Sequence, residues 1–217
     1  SGNVSSSNSQ TNTLTLAGDG ALTLSGTISD GSGMIAMTQT NSNTVILSGA
    51  NTYTGDTNVN AGTLKAGRAY SSSTGPFGNG SNITINGATL DLAGYAQTVG
   101  TVTVDVNGGS IVSTGSSATL TATTSFTFNN DATHSLTVSA NIAGSSVTLT
   151  QAGAGTTTLS GSNGSLTGGV TISAGTIAVT SNANLGSSTA TLTLDGGTLS
   201  LGTNGSNYSI ANPITLT

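Results

Sequence analysis

The chain has 217 residues and a net charge of −5, with two cations, Lys65 and Arg68, and seven carboxylates, all aspartate. That balance excludes a basic footprint for nucleic acid or for an anionic membrane surface, and no apolar run approaches the roughly 18 residues of a membrane-spanning helix. Cysteine is absent, which excludes disulfides, thiolate metal sites and a cysteine nucleophile, and suits export through an oxidising compartment.

Ser, Thr, Asn and Gly make up more than half of the chain and glutamate is missing, so helix is disfavoured. The aliphatics recur in alternating pairs, which argues for a packed β fold rather than disorder. The chain opens Ser-Gly-Asn, not Met, and is read as a segment of a longer protein or as a processed one.

After a Ser/Asn-rich opening over 1–11, strict alternation predicts short strands in chain order. They are LTL at 14–16 and 22–24, ITI at 83–85, LDL at 90–92, VTVDV at 102–106, FTF at 126–128, LTV at 136–138, LTL at 192–194 and LSL at 199–201. One face of each is aliphatic and the other is Thr, Ser, Asp or Asn. Turns such as NGAT (86–89), NGGS (107–110) and DGGT (195–198) separate them, with Gly and Asn free to take φ > 0.

Nearly the whole chain then doubles. LTLSGTI at 22–28 matches LTVSANI at 136–142, IAMTQ at 35–39 matches VTLTQ at 147–151, and ITINGATLDL at 83–92 matches LTLDGGTLSL at 192–201. The division is a first copy over 12–124 and a second over 125–217, continuous with each other. Look-alike strands in a repeat suit a solenoid, in which each coil stacks on the one before. The expected fold is all-β: a right-handed parallel β-helix (β-solenoid) of about ten coils, roughly 45–50 Å long at about 4.8 Å per coil. Two or three sides per coil fit equally well. Val59 and Ile172 are assigned inward, with Thr, Ser and Asn facing water.

LSGANTYTGDTNVNAGTLKAG (47–67) closely resembles the autotransporter-associated β-strand repeat of Gram-negative passenger domains. Leu47, Ser48, Gly49, Asn51, Thr52, Tyr53, Thr54, Gly55, Asn60, Ala61, Gly62, Thr63 and Leu64 match its pattern. The second copy, from Leu159, keeps Leu-Ser-Gly and Asn163 but has Leu166 where Tyr53 stands. NGATLDLAGYAQTVG (86–100) also looks like the segment that follows this repeat. The resemblance implies a secreted, adhesive, β-helical stalk at the bacterial cell surface, outside the outer membrane, with no catalytic residues and no cofactor.

Candidate chemistry is sparse. His134 with Asp131 and a nearby Ser could suggest a triad, but sequence proximity is no evidence of geometry. Asp19, Asp30, Asp56, Asp91, Asp105, Asp131 and Asp195 could serve a Ca²⁺-dependent lyase with Lys65 or Arg68 as base, yet most sit beside Gly in turns and read as solvated. GDGALTL (18–24) is a lone, weak match to a Ca²⁺-binding nonapeptide. No enzyme and no metal site is expected. Outward Thr pairs at 101/103, 119/121, 148/150 and 191/193 invite an ice-binding reading, but their spacing along the chain is irregular and β-propensity explains them.

The most singular segment is KAGRAYSSSTGPFGNG (65–80), about five residues longer than its counterpart in the second copy. Inserted loops on solenoids often bind partners, so Lys65, Arg68, Tyr70 and Phe77 are the candidate binding residues. The expected role is a structural or adhesive passenger segment. The alternatives are a subunit of an extracellular fibre joined end to end through open sheet edges, or an ice- or glycan-binding module. Expected partners are neighbouring coils or identical subunits, and a host-cell or glycan receptor; nucleic acid and membrane insertion are not expected.

Overall fold

Alternating segments such as Ile83-Thr84-Ile85 place their aliphatics on one face, and burial follows that alternation in most strands of the computed structural model. Residues 2–202 and 208–217 are described. A ten-stranded sheet runs from Asn12–Leu16 through Ile35–Gln39, Thr57–Val59 and Ile83–Ile85 to Ile214–Leu216. A nine-stranded sheet from Leu22–Leu24 to Thr198–Leu201 forms a second side. The chain visits the two in turn, and each strand pairs in parallel with its counterpart one coil away. This is a parallel β-solenoid, and both copies of the repeat contribute strands to both long sheets.

The third side is discontinuous. Gln97–Val99, Thr119–Ala122 and Asn141–Ala143 form a three-stranded sheet there, and Val4–Ser5 pairs with Ile28–Ser29. Elsewhere it is irregular, with one 3-10 turn at Asn182–Leu185.

The core is a set of ladders. Ile83, Val102, Phe126, Leu149, Val170 and Leu192 stack by successive pairing, and all are buried. Val59 and Ile172 are fully buried in the neighbouring ladder. Each such side chain contributes about 1.5–3 kcal/mol by leaving water.

Outward, pairing brings Thr15, Thr38, Asn58, Thr84, Thr103, Thr127, Thr150, Thr171, Thr193 and Thr215 into one row along the ten-stranded sheet. Irregular sequence spacing therefore hides a regular row, because the intervening turns differ in length. The column two residues earlier on the same sheet is mixed, with Thr13 beside Ala36 and Thr148 beside Ser125, and Thr119 and Thr121 lie on the third side.

Alternation also predicts that Asn and Thr face water, and the structure differs at Asn51, Asn163, Thr57 and Thr157, all buried. For the two asparagines the reason is the discontinuous third side, where backbone groups that lack a ladder need side-chain partners. Thr57 and Thr157 sit on the inward faces of the long sheets and bond buried polar side chains, Tyr53 and Gln151. Asp91, assigned outward on its strand, is covered as well, at 3% exposure.

Candidate functional site

Leu-Ser-Gly-x-Asn, the shared opening of both repeats, is a device for stacking coils. At Gly49 and at Gly161 an added Cβ would lie 2.1 Å from the carbonyl oxygen of the coil before, Gly26 and Ala140 respectively. No side chain fits, so the coils close tightly at that corner. Asn51 and Asn163 follow. Each accepts a 2.9 Å bond from a backbone N–H of the preceding coil, at Ile28 and Ile142. Each donates to a carbonyl of the next, Pro76 at 2.8 Å and Asn184 at 2.7 Å. One amide thus ties three coils together where no strand ladder does so.

Two buried polar pairs distinguish the copies. The Tyr53 hydroxyl lies 2.8 Å from the Thr57 hydroxyl, and both side chains are fully buried. Burial pushes the Tyr53 phenol far above its ordinary range, and the Thr57 bond offsets only part of this. In the second copy Leu166 and Val170 hold these places, also buried. Conversely, Gln151 Oε1 accepts a 2.6 Å bond from the Thr157 hydroxyl. In the first copy Val45 stands where Thr157 does, and Gln39 Oε1 is buried without a partner.

The inserted segment is an ordered hairpin. The Tyr70 N–H donates to Ala96 O of the next coil at 2.9 Å. Ser71 and Thr74 form an antiparallel bridge. The Tyr70 ring packs over Gly75, where an added Cβ would come within 2.7 Å of it. The Tyr70 hydroxyl donates toward Ser72 O at 3.0 Å and Asn79 Oδ1 at 3.2 Å. Gln97 Nε2 donates to Arg68 O at 2.7 Å, latching the base of the hairpin.

Only part of the candidate set reaches the surface. Phe77 is 1% exposed and belongs to the core. Its counterpart is Leu185, since Gly78 and Gly186 share φ near +84° and +83°. Asn79 N and Ser187 N also make matching 2.9 Å bonds to Tyr53 O and Leu166 O. Lys65 is engaged: its ammonium lies 2.9 Å from Asp91 Oδ2 and 2.9 Å from Thr114 Oγ1. Arg68 and Tyr70 are half-buried, and the Arg68 guanidinium has no partner among the described residues. The exposed tip is 71–73.

Sequence reasoning missed Asp91 and Gln97, which anchor this region. Asp91 also accepts from the Thr114 hydroxyl at 2.6 Å and from the Thr114 and Ala93 N–H groups at 2.9 and 2.8 Å. Burial alone would raise its pKa, but these donors and Lys65 outweigh that and hold it below the usual range.

His134 does pair with Asp131, Nδ1 to Oδ1 at 2.8 Å. The Thr133 hydroxyl contacts the same nitrogen at 3.0 Å, and among the described residues no serine hydroxyl bonds the ring. A nucleophile in triad geometry is not assembled. The Thr133 hydroxyl and His134 hold the Asp131 carboxyl down to about 2. Among the described residues no three His or Asp side chains gather as a metal-ligand set.

Comparison with known proteins agrees with this geometry. The model of the passenger-associated-transport-repeat matches residues 37–66 and 149–179, the segments that carry Asn51 and Asn163. Over 141 residues, 59% of this chain, the sequence is 36% identical to the adhesin BmaC autotransporter of Brucella suis biovar 1 (strain 1330). The chain spans 4% of that protein's length. No solved structure matches. The chain is a parallel β-solenoid in which two segments, 37–66 and 149–179, match the passenger-associated-transport-repeat.

Proposed function

We propose that the chain is an adhesive stalk segment of an autotransporter-type passenger displayed on the surface of a Gram-negative bacterium. The observation that carries this reading is the coincidence of two transport repeats with two three-coil asparagine clamps. Similarity to an autotransporter adhesin supports it. The work done is mechanical and presentational: rigid stacked coils hold the hairpin at 68–75 away from the axis, with Arg68 and the serines of its tip available to a receptor. No catalytic role is assigned to any residue.

Trypsin provides the test, because Lys65 and Arg68 are the only cleavable positions in the chain. Lys65 lies within the strand Thr63–Ala66, so intact cells displaying the parent protein should release fragments ending at Arg68. Full protection until the cells are lysed would overturn surface display. Deleting 68–75 should lower adhesion to host cells without loss of display; unchanged adhesion would remove the hairpin's role.

A further inference from the structure

We infer that the polar trough at the start of the nine-stranded sheet is a binding site for a short neutral glycan. Turn lengths create it. Between the two long sheets the connection is two residues, Asn86 and Gly87, in one coil and seven, 129–135, two coils later. The long turn overhangs the short one and leaves a cavity of about 500 Å³. Thr63, Thr89 and Ser110 line its floor in register, and Asn107 and His134 stand at its edge.

The groups are free and fixed. The hydroxyls of Thr63, Thr89 and Ser110 have no partner among the described residues, so each can donate and accept. His134 is held by its Nδ1 bond to Asp131, which itself takes the Thr133 N–H, the Thr133 hydroxyl and the His134 N–H. The imidazole Nε2 is left without a partner among the described residues, on a ring oriented by the Asp131 bond. Pre-organised donors of this kind cost little to order on binding.

Other ligand classes fit poorly. Neither cation of the chain lines the trough, so it offers an anion no charge partner. A peptide strand finds no free edge, because the floor strands are paired on both sides. Apolar ligands find hydroxyls and backbone. What remains is a neutral chain of hydroxyls. Coils repeat at about 4.8 Å, close to the length of one sugar ring, so the four coils offer one hydrogen-bonding step per ring. The site does not depend on the hairpin at 68–75 or on surface display. With no aromatic platform, affinity should be weak, in the ~1 mM range.

The test is an NMR titration of the isotope-labelled chain with cellotriose, maltotriose and N,N′,N″-triacetylchitotriose. The expected result is saturable amide shifts at 62–63, 87–89, 109–110 and 134–135 with at least one of them. The triple variant T63V/T89V/S110A should weaken binding about tenfold or more, while T103V/T127V/T150V on the ten-stranded sheet leaves it unchanged. His134→Ala, in an exposed turn, carries the test should the triple variant fail to fold, with binding weakened and the melting temperature kept. No saturable shift with any of the three sugars at about 10 mM, shifts confined to another face, or equal loss in both triple variants would overturn the site.

Discussion

The Tyr53 and Thr57 hydroxyls meet at 2.8 Å inside the core of the first repeat, and the second repeat replaces both at once, with Leu166 and Val170. A buried hydroxyl is tolerated only with its partner. Tyr53→Phe should therefore cost roughly 1–3 kcal/mol by orphaning Thr57, and Thr57→Val should cost a similar amount. The double variant should recover most of the loss. Chemical denaturation of all four proteins closes the cycle, and additive losses would show that the hydroxyls do not depend on each other.

The orphaned Gln39 Oε1 makes an opposite prediction. Val45→Thr should place a hydroxyl where Thr157 serves Gln151, at nearly constant volume. A gain of about 1 kcal/mol is expected. Thr157→Val should in turn cost about 1–3 kcal/mol by orphaning Gln151 Oε1. Paired melts of the two variants check both signs, and a loss in Val45→Thr would mean that the hydroxyl cannot reach the amide.

Much of this architecture is legible in the alternation. Ile83 and Ile85, or Phe126 and Phe128, announce an inward face because a strand offers only two faces, and the doubled Leu-Ser-Gly announces stacked coils. The stacking bonds are not legible, because their partners lie one coil away in sequence. Asn51 reaches Ile28 and Pro76, 23 and 25 residues distant, and nothing local marks it as buried. Phe77 misleads for a related reason. Its polar, glycine-rich surroundings read as loop, and only its equivalence to Leu185 reveals a core residue. The row of Thr on the ten-stranded sheet is likewise invisible until register is known, since turn length varies between coils.

Asn51 is the strongest single test of the clamp. Asn51→Ala leaves the Ile28 N–H and the Pro76 carbonyl buried without partners, and a loss of roughly 2–5 kcal/mol is expected. Asn58→Thr, which completes the outward Thr row, should stay within about 0.5 kcal/mol of the parent. Hydrogen exchange adds spatial detail: in Asn51→Ala, protection should fall first at Ile28 and around 75–78. Uniform loss across all coils would point to global unfolding and against a local clamp.

Asp91 links stability to acid. Its carboxylate is buried beside Lys65 and takes bonds from Thr114 and Ala93, so its folded pKa lies below the ordinary value of about 3.9. A depressed folded pKa means that the unfolded chain takes up the proton first. The stabilisation is therefore complete above about pH 4 and is lost as pH falls toward and through the folded value. Asp91→Asn keeps the shape but presents an amide to the Thr114 donors and leaves Lys65 unpaired, so it should melt lower than the parent at pH 7. The gap should narrow from about pH 4 downward, as the parent loses what the variant already lacks. Asp131, held at about 2, also titrates in acid, so both proteins are compared in an Asp131→Asn background. A gap between the melting temperatures that stays constant from neutral pH into acid would show that the Asp91 charge contributes nothing and that the variant acts through packing alone.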